Sequence, residues 1–107
     1  MIGEVRRHSN YYISDDGTVY RKTKRGLSEL IPDISNGYPR VDLDGRKEYV
    51  GRLVLETFCP CEDLSLKVFY IDGNPLNTNL RNLVWLSSSD VQLYSTYTME
   101  YRLAALG

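Results

Sequence analysis

Apolar and polar residues along this chain change period three times, and each change predicts an element. In Tyr11-Tyr-Ile-Ser-Asp-Asp-Gly-Thr-Val-Tyr-Arg21 two β-prone runs flank Asp15-Asp16-Gly17, whose glycine supplies the positive φ of a tight turn, so a hairpin is expected. A charged loop from Lys22 to Ser28 follows and leads into Glu29-Leu30-Ile31, and Ser35-Asn36-Gly37 marks a turn. Tyr38-Pro-Arg-Val-Asp-Leu43 then alternates at period two, and Asp44-Gly45 closes it into a second hairpin. Val50, Leu53, Val54, Thr57 and Phe58 switch to the spacing of one helical face, and Pro60 ends the helix.

Beyond Pro60, Leu66 to Ile71 reads as a strand, Asp72-Gly-Asn-Pro75 as a turn, and Asn82 to Leu86 as a returning strand, with an Asn-rich loop between. Ser87 with Asp90 three residues on is a helix start signal, so a last helix is expected from Ser88 to about Ala104 with Ser87 as its N-cap. Leu86 and Val91 take the two staple positions, and Tyr94, Tyr97 and Tyr101 fall on one side of that helix. The expected class is α+β: N-terminal β-hairpins and a short helix over residues 1–65, then a ββα unit with a C-terminal helix over residues 66–107. At 107 residues this is one expected domain, since two cores would each be too small to bury enough apolar surface.

Composition alters this picture in one respect. Hydrophobic residues (42%) and charged residues (25%) are at ordinary globular levels, but nine tyrosines are a surplus, and tyrosine packs with one end while hydrogen-bonding with the other. The net charge of −1 is unevenly spread: residues 1–52 carry +2 and residues 53–107 carry −3, which weighs against the strongly basic profile of a dedicated nucleic-acid binder. No run is long and apolar enough for a membrane span or a secretory leader, so a cytoplasmic protein with no membrane partner is expected, in a bacterial host cytosol if it is phage-encoded. Cys59 and Cys61, split by Pro60, match no zinc or redox spacing and read as two reduced thiols.

The words of the sequence resemble a known family. Val68-Phe-Tyr-Ile-Asp-Gly-Asn-Pro-Leu-Asn77 with Asn82-Leu-Val-Trp85 is similar to the core of phage-type HNH homing endonucleases. Tyr12 to Tyr20 resembles the NUMOD-like N-terminal modules that accompany them, and Gly51-Arg-Leu-Val-Leu-Glu-Thr-Phe58 resembles their short helix. The resemblance implies a general-base His, a neighbouring ligand and a helical Asn or His that together serve one divalent metal. Those positions fall on Tyr70, Phe69 and Val91, and the His that often opens the short helix falls on Gly51. Phenylalanine and valine bind no metal, and a tyrosine hydroxyl titrates near pH 10. The expectation is therefore a degenerate nuclease without catalytic residues, metal or cofactor, in which Asn82, Asp72-Gly73, Asn77 and Trp85 keep the scaffold.

Such a chain is expected to act by binding, first of all as a nucleic-acid-binding module for DNA. Arg21, Lys22, Lys24 and Arg25 form the densest basic cluster, extended by Arg6-Arg7, Arg40 and Arg52, and stand equally for phosphate contacts or a solvated loop. Tyr94, Tyr97 and Tyr101 fit core lining, base stacking or a partner surface, including self-association through the C-terminal helix. A second expectation is a phage-encoded inhibitor or regulator that grips a host protein through the ββα face and this helix, and a third is a protein that sequesters a small nucleotide near Tyr70 and Asn77. His8, the single histidine, is expected at the surface.

Overall fold

A computed structural model describes residues 1–90 of the chain. Among these residues lie nine strands in three antiparallel sheets and one complete α-helix, and residues 88–90 are helical as well. The first sheet, in order β1-β2-β3-β4, is made of β1 (Ile2–Glu4), β2 (Tyr11–Ser14), β3 (Val19–Thr23) and β4 (Gly26–Leu30). The second, β5-β6-β7, is made of β5 (Asp33–Ser35), β6 (Tyr38–Leu43) and β7 (Arg46–Tyr49). After helix α1 (Val50–Phe58), strands β8 (Lys67–Tyr70) and β9 (Leu83–Leu86) pair as a ribbon, with a short 3₁₀ turn at Leu80–Asn82. The class is α+β, mostly antiparallel strand with little helix.

Both expected hairpins form, around Asp15-Asp16-Gly17 and around Asp44-Gly45. The Gly17 turn needs glycine twice over: φ is +91°, and a Cβ there would run into the Thr78 side chain. The expected charged loop at Lys22 to Ser28 is instead a third hairpin. Val19 to Thr23 pairs residue by residue with Gly26 to Leu30, and only Lys24 and Arg25 make the turn. The reason is that beyond Tyr20 this ribbon extends past the core with both faces in solvent, so pairing there imposes no apolar alternation that a sequence could display. Strand β1 was likewise not expected; it is held by pairing with β2 rather than by its own pattern.

Helix α1 joins the three sheets, with contacts to strands of each. The expected stripe is half right: Val50, Leu53 and Val54 are buried, but Thr57 and Phe58 are half-buried and Leu55, off the stripe, is fully buried. A helix wedged among several sheets buries more than one face. Its core partners are Val5, Tyr11, Ile13, Val19, Val41, Leu43 and Leu83. Polar ties cross the same junctions: Tyr11 donates to Asp44 Oδ1 at 3.1 Å, and Trp85 Nε1 donates to the Cys59 carbonyl at 2.8 Å beyond the helix end.

The β8–β9 ribbon is locked by its loop. Asn82, buried, accepts from the Asp72 backbone N–H at 2.9 Å and donates to Asp72 Oδ1 at 2.9 Å and to the Asn77 carbonyl at 3.0 Å. These bonds are the form taken by the scaffold role that the resemblance implied for Asn82. Asn74, Asn77 and Asn79 each accept from a backbone N–H two residues on, so the Asn-rich segment is a chain of Asx turns. The Asn77 amide, the Asn74 N–H and the Asn82 amide together hold the Asp72 carboxyl below the usual carboxylate range. At the end of the ribbon, Ser87 Oγ accepts from the Asp90 N–H at 3.2 Å, the N-cap bond expected of it. The body of the last helix, with Val91, Tyr94, Tyr97 and Tyr101, lies outside the described residues, and so does the ββα arrangement as a whole.

Candidate functional site: a basic hairpin and a tyrosine pocket

The sequence-predicted cations separate into two groups. Arg21, Lys22, Lys24 and Arg25 all sit on the β3–β4 hairpin, where every residue from Arg21 to Glu29 is exposed. Among the described residues no carboxylate lies within ion-pair distance of any of the four. They do not share one sheet face. Arg21 follows Val19 on one side, Lys22 follows Tyr20 on the other, and Lys24 and Arg25 occupy the tip. The hairpin is a ribbon with cations on both faces and at its end, and its one acid is Glu29.

Arg40 and Arg52 are held differently. Arg40 donates to Asp33 Oδ2 at 3.1 Å, and its Nε is buried without a hydrogen-bond partner. Arg52 donates through Nε to Glu56 Oε1 at 2.9 Å and lies over the Trp85 ring, 5.5 Å from its centre, so the guanidinium is fixed in place. Glu56 also takes Arg7 at 2.9 Å. These arginines therefore do not converge with the hairpin cluster as equivalent free charges. His8 departs from expectation as well: its side chain is 12% exposed and its Nε2 lies 3.3 Å from Glu48 Oε1.

Tyr70 ends β8 with its hydroxyl directly above Gly51, where any Cβ would overlap it. The two positions that the resemblance assigned to histidines thus meet in space and are filled by one phenol over one glycine. Burial, with Tyr38 alongside, pushes the Tyr70 hydroxyl up to about 12, so it stays protonated at neutral pH. A protonated phenol is neither a general base nor a good ligand, and Phe69 has no donor atom. A divalent metal does not fit positions 69 and 70, and among the described residues no three His, Cys, Asp or Glu side chains gather as one would need. Cys59 and Cys61 are unpaired.

Around Tyr70 lies a pocket that the residue pattern did not reveal. Tyr38, Tyr49 and Tyr70 line it with Val68, and Arg52 and Asn36 complete the lining of a cavity of about 310 Å³. Tyr38 meets Tyr49 edge to face at 6.2 Å and Tyr70 at a tilt at 5.7 Å. The only signals for it were the tyrosine surplus and the polar-face position of Tyr38 on its alternating strand. Asn77, expected near a nucleotide with Tyr70, is instead committed to Asp72 at 2.9 Å.

The fold is HNH-like: the chain is similar to a solved structure of the HNH homing endonuclease I-HmuI, a protein described for its DNA binding and cleavage. The TM-score is 0.75 at 27% identity, over 94% of this chain and 59% of that one, so the chain spans less than two thirds of its neighbour's length. No known protein family matches the chain, and no curated protein does. The expectation that this chain is not an enzyme is corrected by this likeness. The neighbour cleaves DNA, the likeness points toward a nuclease, and a shared fold carries no sign that catalysis was lost. Among the described residues no helix is long and apolar enough to cross a membrane.

Proposed function

We propose that this chain is a DNA-binding domain of the HNH endonuclease type, and that the β3–β4 hairpin is its principal contact with duplex DNA. The observation that carries this is the pairing of Val19 to Thr23 with Gly26 to Leu30 as an exposed ribbon bearing four cations without carboxylate partners among the described residues. Unpaired cations are free to displace counterions from phosphates, whereas Arg40 and Arg52 already have acidic partners. A two-stranded ribbon also fits the major groove, about 12 Å wide. Likeness to a protein that binds and cleaves DNA supports the same partner.

Binding to a blunt duplex, measured by fluorescence anisotropy over a salt series, tests this. The affinity is expected to fall as salt rises, and Lys24→Ala with Arg25→Ala should make the log–log slope shallower by about 2, roughly 0.9 for each lost phosphate contact. Salt-insensitive binding, or a slope unchanged in the double variant, would refute the hairpin contact. Incubation of supercoiled plasmid with the protein and Mg²⁺ or Mn²⁺ reads cleavage separately.

A further inference from the structure

We propose that the pocket formed by Tyr38, Tyr49 and Tyr70 receives an unpaired nucleobase, from a single-stranded stretch beside the duplex that the hairpin holds. The inference rests on the DNA-binding proposal for its partner, but its support is separate. Three phenol rings border one cavity, and neither described ring contact is a parallel stack, so ring faces remain for a planar guest. The cavity, about 310 Å³, lies at the small end of ligand sites, which run from about 300 to 1,000 Å³, and suits one nucleotide rather than an extended ligand.

The polar lining matches the same guest. Arg52 is ion-paired through Nε with Glu56 and rests on Trp85, so it brings no unpaired charge, but neither terminal nitrogen hydrogen-bonds to any described residue, and both remain as fixed donors beside the pocket for an oxygen of the guest. Asn36 is held at φ +53° in the turn before β6, and its amide can both donate to and accept from a base edge. An apolar peptide side chain would use neither group. A base in a duplex must first be flipped out of its stack, at the cost of unpairing and unstacking, whereas an unpaired base enters at less cost. The favoured occupant is therefore an unpaired base in a strand.

Two probes decide the matter: a blunt duplex, and the same duplex with a short single-stranded extension. The wild type is expected to bind the extended duplex about tenfold more tightly. Tyr38→Ala with Tyr49→Ala should abolish that preference and leave blunt-duplex affinity unchanged. Both rings are partly exposed, at 40% and 45%, so truncation is expected to preserve the fold, as a thermal melt checks. A fluorescent purine in the extension should be quenched by the wild type, which needs no variant. Equal affinity for the two probes, a preference that survives the double substitution, or no quenching overturns the proposal. So does free deoxyadenosine monophosphate binding as tightly as the extended strand. Loss of blunt-duplex binding alone, with Tyr38- and Tyr49-dependent strand binding intact, would instead reject the hairpin contact and keep the pocket.

Discussion

Two antiparallel ribbons, β3–β4 and β8–β9, have similar length and opposite physics. From Arg21 to Glu29 the first has exposed side chains on both faces, no acidic partner for its four cations among the described residues, and a two-residue turn. The second has half-buried or buried side chains at Val68 to Tyr70 and at Leu83 to Leu86, a loop closed by Asn82, and Tyr70 fitted over Gly51. One ribbon is stabilised almost wholly by its ladder and keeps its side chains free for a partner. The other spends its side chains on the fold, and function there depends on shape. Charge is useful where it is unsatisfied, and a pocket is useful where its walls are held.

That contrast is open to test by substitution, from large effects to small. Asn82→Ala should destabilise by about 2–4 kcal/mol, because it strands the Asp72 N–H and the Asn77 carbonyl in a partly buried loop. Urea unfolding measures this, and a loss under 1 kcal/mol would mean that the loop is not what locks the β8–β9 ribbon. Gly51→Ala comes next. Helix propensity alone favours alanine by about 1 kcal/mol, yet overlap with the Tyr70 hydroxyl should reverse the sign. In a Tyr70→Phe background the overlapping oxygen is gone, and the same substitution should become neutral or stabilising, a coupling of about 1 kcal/mol or more. Additive effects would disprove the fitted contact. At the small end, Lys24→Ala with Arg25→Ala should change stability by less than about 0.5 kcal/mol while it weakens duplex binding. Appreciable destabilisation would show that the hairpin cations serve the fold.

How much of this was legible depended on whether a residue's role was local. The turns at Gly17 and Gly45 and the Ser87 cap were readable, because each follows from conformational preference or from a hydrogen bond spanning a few residues; the helix from Val50 followed from its apolar spacing, and the role of Asn82, whose bonds to Asp72 span ten residues, came from the family resemblance. The β3–β4 ribbon was not. From Arg21 to Glu29 its residues have no buried face and so no period to display, and the charges from Lys22 to Arg25 read as loop. Leu55 was missed for the complementary reason, since α1 contacts strands of all three sheets and buries more than the one face its spacing displays.

The site divides along the same line. By itself the sequence determined which cations exist, that the positions matched to a base and a ligand carry Tyr70 and Phe69, and that tyrosine is in surplus, since residue identity alone sets those chemistries. Only the tertiary structure decided which charges are spent. It placed Asp33 on Arg40 and Glu56 on Arg52, and brought no acid to Arg21, Lys22, Lys24 or Arg25 among the described residues. It also brought Tyr38, Tyr49 and Tyr70 from three strands around one cavity and set a phenol over Gly51. Pairing and enclosure depend on distances between residues far apart in the chain, and no local pattern encodes those distances.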